Sequence, residues 1–303
     1  MTSLSSHAFH LPANVLEPLS RSWTEQEAFG YCSALTKSHY ENFPVGSFLI
    51  PRELQPAVHS LYAFMRTADD FSDENRTSGD EAERMDWLNQ WEAMLSDCEA
   101  GKAAHPVFIA LRGTLRRYDL PAHWLHDLLH AFKMDVTVRR YATPAELQTY
   151  CRYSANPVGR LILTLFGYRD EALYQLSDAI CTGLQLANHW QDVSVDLDKN
   201  RIYLPQENWR RFGVTEEDLF RRTATPAFKQ LMAFEVARAR GLFVIGRTLP
   251  RKVLGRLRWE LRFTWQGGVR ILDKIEDADF DVFTQRPVVT KADWLGITFR
   301  TLF

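Results

Sequence analysis

The chain has 303 residues, of which 46% are hydrophobic, and its formal net charge is -2 with a pI near 6.5. That much apolar material can form a large core in one helical domain or in two smaller ones. A nearly neutral chain has no general affinity for polyanions, so no nucleic acid partner is expected. The four cysteines lack CxxC spacing, which disfavours a zinc site and a disulfide framework and fits a reducing cytosol.

Residues 1–23 lack a basic segment followed by a continuous apolar stretch. No apolar run anywhere in the sequence reaches membrane-spanning length. We therefore predict a cytoplasmic protein with a flexible segment at 1–25 and a single helical domain at 26–303. The amphipathic C-terminal stretch, 293–303, either packs on this domain or lies on a membrane.

Apolar spacings of three and four residues predict helices along almost the whole chain, interrupted at proline and glycine positions. Strand-like alternation is scarce. The expected architecture is all-α, a single-domain bundle of long helices around a central cavity. The predicted helices are 24–40, 52–74, 80–99, 106–118, 122–138, 144–166, 170–197, 226–248 and 252–275.

The helix predicted at 52–74 carries an acidic stripe. Tyr62, Arg66, Asp69 and Asp73 step by four, three and four residues and so share one helical face. The carboxylates crowd the C-terminal end of the helix, where the macrodipole disfavours anions, and a bound cation would relieve that conflict. The alternative is the solvated polar face of an ordinary surface helix.

A second acidic stripe lies far along the chain, in an otherwise apolar helix. Gln185, Asn188, Asp192 and Asp196 step by three, four and four residues. A helix that is apolar on its remaining faces is expected to be buried, which makes a merely solvated stripe harder to sustain. The pairs Asp69–Asp73 and Asp192–Asp196 offer only oxygen ligands, so they predict a shared site for a hard cation. The expected ion is Mg²⁺, with Mn²⁺ as the alternative.

A third segment, 150–159, places Tyr150 and Tyr153 near small residues. A tyrosine offers a π face and a hydroxyl to a ligand, but core packing explains the same pattern. The sequence has no GxGxxG, P-loop or GxSxG motif, so no NAD(P)H is expected and serine-hydrolase chemistry has no support.

Together these motifs resemble the squalene/phytoene synthase family of class I prenyl synthases over about 27–275. The resemblance is carried by the stretch from Tyr62 to Asp73, by 150–159, by 185–196 and by 201–205. Within the family, 39–48 and the Asn-x-Trp-Gln-Asp core at 188–192 are most similar to bacterial hydroxysqualene synthases of hopanoid biosynthesis. Relatives that condense two prenyl chains usually carry an Asn-x-x-Arg-Asp core and Gly-Thr-Val-Gly, where this chain has Gln191 and the segment 156–159.

The resemblance also implies roles for individual residues. Asp70, a member of the first acidic cluster, is included with the residues that the resemblance assigns to metal ions and diphosphate. The full set is Asp69, Asp70, Asp73, Asn188, Asp192 and Asp196. The implied substrate and diphosphate partners are His39, Arg66, Lys199, Arg201 and Tyr203. The residues implied at the reacting centre are Phe43, Tyr62, Tyr150, Gln185 and Asn188.

The implied activity is Mg²⁺-dependent ionisation of presqualene diphosphate, with water capturing the cation to give hydroxysqualene. The alternatives are condensation of two farnesyl diphosphates to presqualene diphosphate or squalene, and a catalytically silent relative that binds lipid or acts in assembly. The implied partners are a lipophilic prenyl diphosphate, pathway enzymes that make presqualene diphosphate and reduce hydroxysqualene, and a peripheral contact with the inner membrane.

Overall fold

The computed structural model describes residues 11–38, 49–73 and 79–302. Helices make up most of this part of the chain, and its strand-like pairing is limited to an isolated bridge between Arg140 and Ile202. The predicted all-α class is confirmed. The described residues form two compact units, divided after Thr137, with 49–51 belonging to the second unit. The predicted domain bounds, 1–25 and 26–303, stay a prediction.

The first unit is held together by an aromatic core. Phe64, Trp91 and Phe108 are fully buried, and the Trp91 and Phe108 ring centroids lie 4.4 Å apart. A buried hydrogen bond of 2.7 Å between the hydroxyls of Ser60 and Thr114 joins two of the helices. The described helices of this unit are α1 (Ala13–Leu16), α2 (Glu25–Ser38), α3 (Gln55–Ser72), α4 (Glu81–Glu99), α5 (Pro106–Tyr118) and α6 (His123–Thr137). A 3-10 turn at Glu17–Ser20 follows α1.

The second unit contains the remaining described helices. They are α7 (Pro144–Ser154), α8 (Asn156–Leu165), α9 (Glu171–Gln191), α10 (Val193–Asp198), α11 (Gln206–Arg211), α12 (Glu216–Phe220), α13 (Pro226–Gly246), α14 (Leu249–Lys252), α15 (Gly255–Asp277) and α16 (Lys291–Leu302). Helix α9 packs against α8, α13 and α15. Its contact with α13 includes the fully buried Trp190, whose indole N–H donates to the Glu235 carbonyl at 3.2 Å.

Two predicted helices are each divided in the structure. Ala155 separates α7 from α8, because Pro157 in the first turn of α8 has no N–H to continue the hydrogen-bond ladder. Asp192 separates α9 from α10, although the Asp196 N–H still donates to the Asp192 carbonyl at 2.8 Å. The single helices predicted at 144–166 and 170–197 were therefore wrong in their continuity.

The C-terminal helix α16 packs against α15. Ile297 is 3% exposed, and the Asp293 carboxylate accepts hydrogen bonds from Arg270 at 2.8 Å and Lys274 at 2.9 Å. Of the two alternatives for this stretch, the structure therefore shows packing. No helix in the described ranges has the length and apolar character needed to cross a membrane.

Candidate functional site

The first acidic motif lies near the end of α3, where an arginine pairs with one of its carboxylates. Arg66 is 12% exposed, and its Nη2 lies 3.0 Å from Asp70 Oδ1 while its Nε donates to Asp70 Oδ2 at 3.3 Å. Asp69 is 3.8 Å from the Arg66 Nη1 atom and remains 46% exposed. Asp70 is thus the main partner of Arg66, and Asp69 stays nearly half exposed to solvent.

Asp73 lies just beyond the helix predicted to contain it. Helix α3 ends at Ser72, and Asp73 has an extended backbone with φ -88° and ψ 111°. The Asp73 N–H and the Ser72 hydroxyl both donate to the Asp69 carbonyl, at 3.0 and 2.9 Å, and so satisfy the helix end. The helix predicted at 52–74 is therefore too long, and helical spacing does not set the direction of the Asp73 side chain.

A buried arginine from the next helix meets this C-terminal end. Arg84 of α4 is 4% exposed, and its Nη1 donates to the Ser72 carbonyl at 2.9 Å. A cation at a helix C-terminus interacts favourably with the macrodipole, and it offsets part of the cost of the nearby carboxylates. The dipole argument for a bound cation is therefore weaker than the sequence suggests.

The second acidic motif lies where α9 meets α10. The Asn188 side-chain amide donates to Asp192 Oδ2 at 2.7 Å, and the Arg286 guanidinium binds both Asp192 oxygens, with Nη2 at 3.1 Å from Oδ2. The hydrogen bond with Asp192 raises the pKa of Arg286 above its ordinary value, and the negative charge of Asp196 acts in the same direction. Asp192 is therefore fixed by two side chains.

Sequence reasoning missed Arg286, which lies 94 residues from Asp192 and has no spacing relation to it. Gln191 supports the same segment. With its side-chain amide oriented to satisfy both of its polar atoms, Gln191 donates to the Pro287 carbonyl at 3.1 Å and accepts from Arg286 Nη2 at 3.2 Å. The residue that distinguishes this core from the Asn-x-x-Arg-Asp pattern thus contacts the segment that carries Arg286.

A tight turn follows α10 and carries the two predicted basic residues. The Asp196 carbonyl accepts from the N–H groups of Lys199 at 3.0 Å and Arg201 at 2.8 Å. Arg201 is only 9% exposed. Burial, and then the positive charge of Arg201, lower the pKa of the His189 imidazole to about 3, so this imidazole is neutral near pH 7.

Aromatic rings gather around His189. The Tyr203 ring stacks on the imidazole with centroids 3.6 Å apart and planes at 13°. Tyr150 lies 5.9 Å from His189 and 5.7 Å from Tyr203, and Tyr141 lies 5.7 Å from Tyr203. Sequence reasoning selected Tyr150 and Tyr203, which meet here, but missed Tyr141 and His189. Tyr150 is 3% exposed, so it packs in the core of the second unit.

The remaining predicted residues are distributed as follows. Tyr62 is half-buried on α3. The Gln185 amide nitrogen lies 3.4 Å from His189 Nε2, beside the aromatic cluster. A cavity of about 10 Å³ borders Asp196 and Tyr203, which is room for about one water molecule. His39 and Phe43 lie outside the described residues.

The donors of both motifs fit a hard cation by their chemistry. They are carboxylate and amide oxygens, which Mg²⁺ prefers, and Asp192 already binds a guanidinium cation. Within the part of the chain that the structure describes, no three His, Cys, Asp or Glu side chains form a cluster that could hold a metal ion. The predicted metal site stays a prediction.

Comparison with known proteins identifies the family. The sequence profile of the squalene/phytoene synthase family matches residues 36–293. A hydroxysqualene synthase of Rhodopseudomonas palustris is 37% identical over 215 residues, which is 70% of this chain and 71% of that protein. A phytoene synthase of Arthrospira platensis is 30% identical over 279 residues, covering 88% of this chain and 89% of that protein.

Comparison with solved structures points to the same family. The crystal structure of squalene synthase HpnC from Alicyclobacillus acidocaldarius matches with a TM-score of 0.80 at 42% identity, covering 85% of this chain and 96% of that one. The expected isoprenoid-synthase-like helical fold is thereby confirmed. This protein is a member of the squalene/phytoene synthase family.

Proposed function

We propose that the protein ionises presqualene diphosphate and lets water capture the cation, which gives hydroxysqualene and diphosphate. The observation that carries the proposal is the arrangement at Asp192, whose carboxylate is held by Asn188 and Arg286 at the end of a mostly buried helix. The same chain carries a second acidic motif with its own arginine, Arg66. The similarity to hydroxysqualene synthases at 37% identity supports the choice of reaction.

Acidic and basic side chains of the chain would have different roles in the ionisation step. When bound, Mg²⁺ supplies Lewis-acid stabilisation of the charge that develops on the leaving diphosphate. The residues that would hold it are Asp69, Asp73, Asn188, Asp192 and Asp196. Arg66 and Arg286 carry guanidinium groups that form charge-assisted hydrogen bonds with phosphate oxygens, so they would bind the same diphosphate.

After the carbon–oxygen bond breaks, its electron pair leaves with diphosphate, and the cyclopropylcarbinyl cation that remains opens and rearranges to the carbocation of the squalene skeleton. The π faces of Tyr150 and Tyr203 favour positive charge nearby. Water then forms the new carbon–oxygen bond and releases a proton to solvent. Tyr150, Gln185 and Asn188 can each hydrogen-bond that water. His189 is neutral and stacked on Tyr203, so it adds no positive charge next to these rings.

Product analysis by mass spectrometry tests the proposal. The purified protein is incubated with Mg²⁺ and either presqualene diphosphate or farnesyl diphosphate. Hydroxysqualene from presqualene diphosphate, with no product from farnesyl diphosphate, is the expected result. Presqualene diphosphate formed from farnesyl diphosphate, or squalene formed when NADPH is supplied as hydride donor, would instead establish the condensing activity, which the similarity to a phytoene synthase favours.

A third outcome separates catalysis from binding. Saturable binding of presqualene diphosphate in calorimetry without any product would establish the silent, lipid-binding alternative. The proposed reaction consumes no electrons, so no NAD(P)H is expected. It needs one enzyme that supplies presqualene diphosphate and another that reduces hydroxysqualene. Because both lipids partition into membranes, we also propose a peripheral contact with the inner membrane from the cytoplasmic side.

A further inference from the structure

A cavity of about 710 Å³ in the second unit is lined by four arginines. Arg247 and Arg251 come from the end of α13 and from α14, and Arg258 and Arg262 come from the first two turns of α15. Trp265 completes one wall. This cavity has no residue in common with the acidic motifs.

The cavity lies at the opposite end of the unit from Asp192. Helix α13 runs antiparallel to α9, because Glu235 meets Trp190 while a Cβ on Gly246 would lie 2.4 Å from Ile180 Cγ1. Arg247 follows Glu235 by twelve residues, which corresponds to roughly 18 Å of helix. The arginine-lined cavity is therefore distinct from the site proposed for the diphosphate.

The four guanidinium groups have no carboxylate partner among the described residues. The hydrogen bond from Arg258 Nε goes to the Val253 carbonyl at 3.0 Å, and Arg262 lies 5.1 Å from the Trp259 ring centroid. Elsewhere in the same unit arginines are paired, as Arg240 is with two carboxylates at 3.0 and 2.9 Å. Although the chain as a whole carries a net charge of -2, these four guanidinium groups make the cavity locally positive. Such a surface is suited to binding anions.

Exposed aliphatic side chains lie close in sequence to the arginines that line the cavity. Val244 and Ile245, which are 53% and 57% exposed, lie in the last turn of α13, three and two residues before Arg247. Leu254, which is 71% exposed, lies between Arg251 and Arg258. A soluble anion would use the arginines and leave these aliphatic groups in water. The headgroup region of an anionic bilayer matches both features, since cations meet phosphates there and aliphatic side chains reach the acyl boundary.

We infer that this face of the second unit docks on an anionic phospholipid bilayer, with headgroup phosphates in the arginine-lined cavity and Val244, Ile245 and Leu254 at the acyl boundary. The inference deepens the peripheral membrane contact proposed above by giving it a defined surface. It places the bilayer at the end of α9 that is remote from Asp192.

Vesicle sedimentation tests the docking surface. The full chain is mixed with phosphatidylcholine vesicles that contain either no phosphatidylglycerol or 30% phosphatidylglycerol, and the bound fraction is measured. Wild type should bind only the anionic vesicles. The double variant R247Q/R251Q should lower the partition coefficient about tenfold or more, because each cation near an anionic surface contributes on the order of 1 kcal/mol.

A matched control removes two positive charges elsewhere. Arg116 and Arg117 are exposed at the end of α5, outside any ion pair among the described residues, and R116Q/R117Q should change binding less than twofold. For the apolar contact, L254S should weaken binding several-fold, while L295S, which alters a 75% exposed leucine on α16, should not.

Three results would overturn the inference. They are equal binding of R247Q/R251Q and wild type, an equal loss in R116Q/R117Q, and arginine-dependent binding of inorganic pyrophosphate in calorimetry without vesicle binding. The last result would assign the cavity to a soluble anion. Turnover of detergent-dispersed presqualene diphosphate should be the same in R247Q/R251Q and wild type, so failure of the docking surface is distinguishable from failure of the proposed reaction.

Discussion

The carboxylates of the two acidic motifs have different surroundings. Asp192 accepts hydrogen bonds from Asn188 and Arg286, and its side chain is 16% exposed. Asp69 is 46% exposed beside Arg66. Spacing alone treats these residues as equivalent halves of one site, whereas in the structure Asp192 is an anchored carboxylate and Asp69 an accessible one.

Replacing either carboxylate should abolish turnover without unfolding the protein. Asp69→Asn and Asp192→Asn each remove a negative oxygen donor, and product formation from presqualene diphosphate should fall at least a hundredfold. The stability cost should stay below about 1 kcal/mol, because the Arg286 partner of Asp192 is 48% exposed and solvent-screened. Product analysis and far-ultraviolet circular dichroism measure the two effects.

Asp198→Asn is the control for this pair. Asp198 lies in α10 near Asp196, is 66% exposed and pairs with Arg222 on the surface. The variant should keep near wild-type turnover. Near wild-type turnover in the Asp69 or Asp192 variant would show that the acidic motifs are merely a solvated surface.

Glu260 should make the protein less stable as the pH rises. Burial raises the pKa of this carboxyl from 4.5 to about 7, and its Oε2 atom is buried without a hydrogen-bond partner. Between these pH values the folded state binds more protons than the unfolded state, so the free energy of unfolding falls as the pH rises, and the loss persists above pH 7. Glu260→Gln should therefore stabilise the protein by about 2 kcal/mol at pH 8 and by little at pH 4.5.

Denaturant unfolding at the two pH values measures this difference. Glu207→Gln, at an exposed position in α11, provides a control whose effect should be small and the same at both pH values. If Glu260→Gln destabilised the protein at pH 8, the glutamate would not be a buried, unpaired charge.

At the scale of elements, close contact between α9 and α13 depends on a glycine. A Cβ on Gly246 would lie 2.4 Å from Ile180 Cγ1 and 2.9 Å from the Leu176 carbonyl oxygen, which is backbone and cannot rotate away. Gly246→Ala should destabilise the protein by about 1–3 kcal/mol through this overpacking. Thermal unfolding measures the effect.

The same helix offers the opposite case. A Cβ on Gly241 would meet nothing within 4 Å, so Gly241→Ala should stabilise α13 by about 0.5–1 kcal/mol through helix propensity. Similar changes of the same sign in both variants would contradict the packing explanation, because only Gly246 lies against α9.

Most long helices could be predicted from the sequence because each must bury one apolar face, which leaves a period near 3.6. The break at Ala155 could also have been predicted, because Pro157 inside a predicted helix marks an interruption. Apolar periodicity on both sides of Pro157 concealed it. The break at Asp192 has no proline or glycine to mark it. Short helices such as Gln206–Arg211 contain too few turns to show a period.

At the scale of the whole molecule, all four cysteines are free thiols. Burial raises the pKa of Cys32 and Cys151 to about 12 and that of Cys98 and Cys181 to about 11. Because only the thiolate reacts readily, none should react with Ellman's reagent within minutes in the native protein at pH 8, while all four should react in guanidinium. A rapidly labelled native thiol would contradict this burial, and reductant should leave the melting temperature unchanged.

The tertiary contacts of the site could be predicted only in part. Asn188 and Asp192 lie one helical turn apart, and their hydrogen bond follows from that spacing. Arg84, Arg286 and the stacking of His189 on Tyr203 depend on how distant segments pack, and no periodicity within one helix contains that information. Local spacing therefore identified acidic residues but not the basic and aromatic side chains that determine their environment.

The bond between Arg286 and Asp192 has a consequence for the order in which the protein folds. A contact between residues 94 positions apart carries a large entropic cost of loop closure, so it forms more slowly than contacts within one helix. During synthesis Asp192 leaves the ribosome well before Arg286 does, so α9 can be complete while its terminal carboxylate still lacks this guanidinium. A nascent chain that stops before Arg286 should thus carry a helical but electrostatically incomplete second unit.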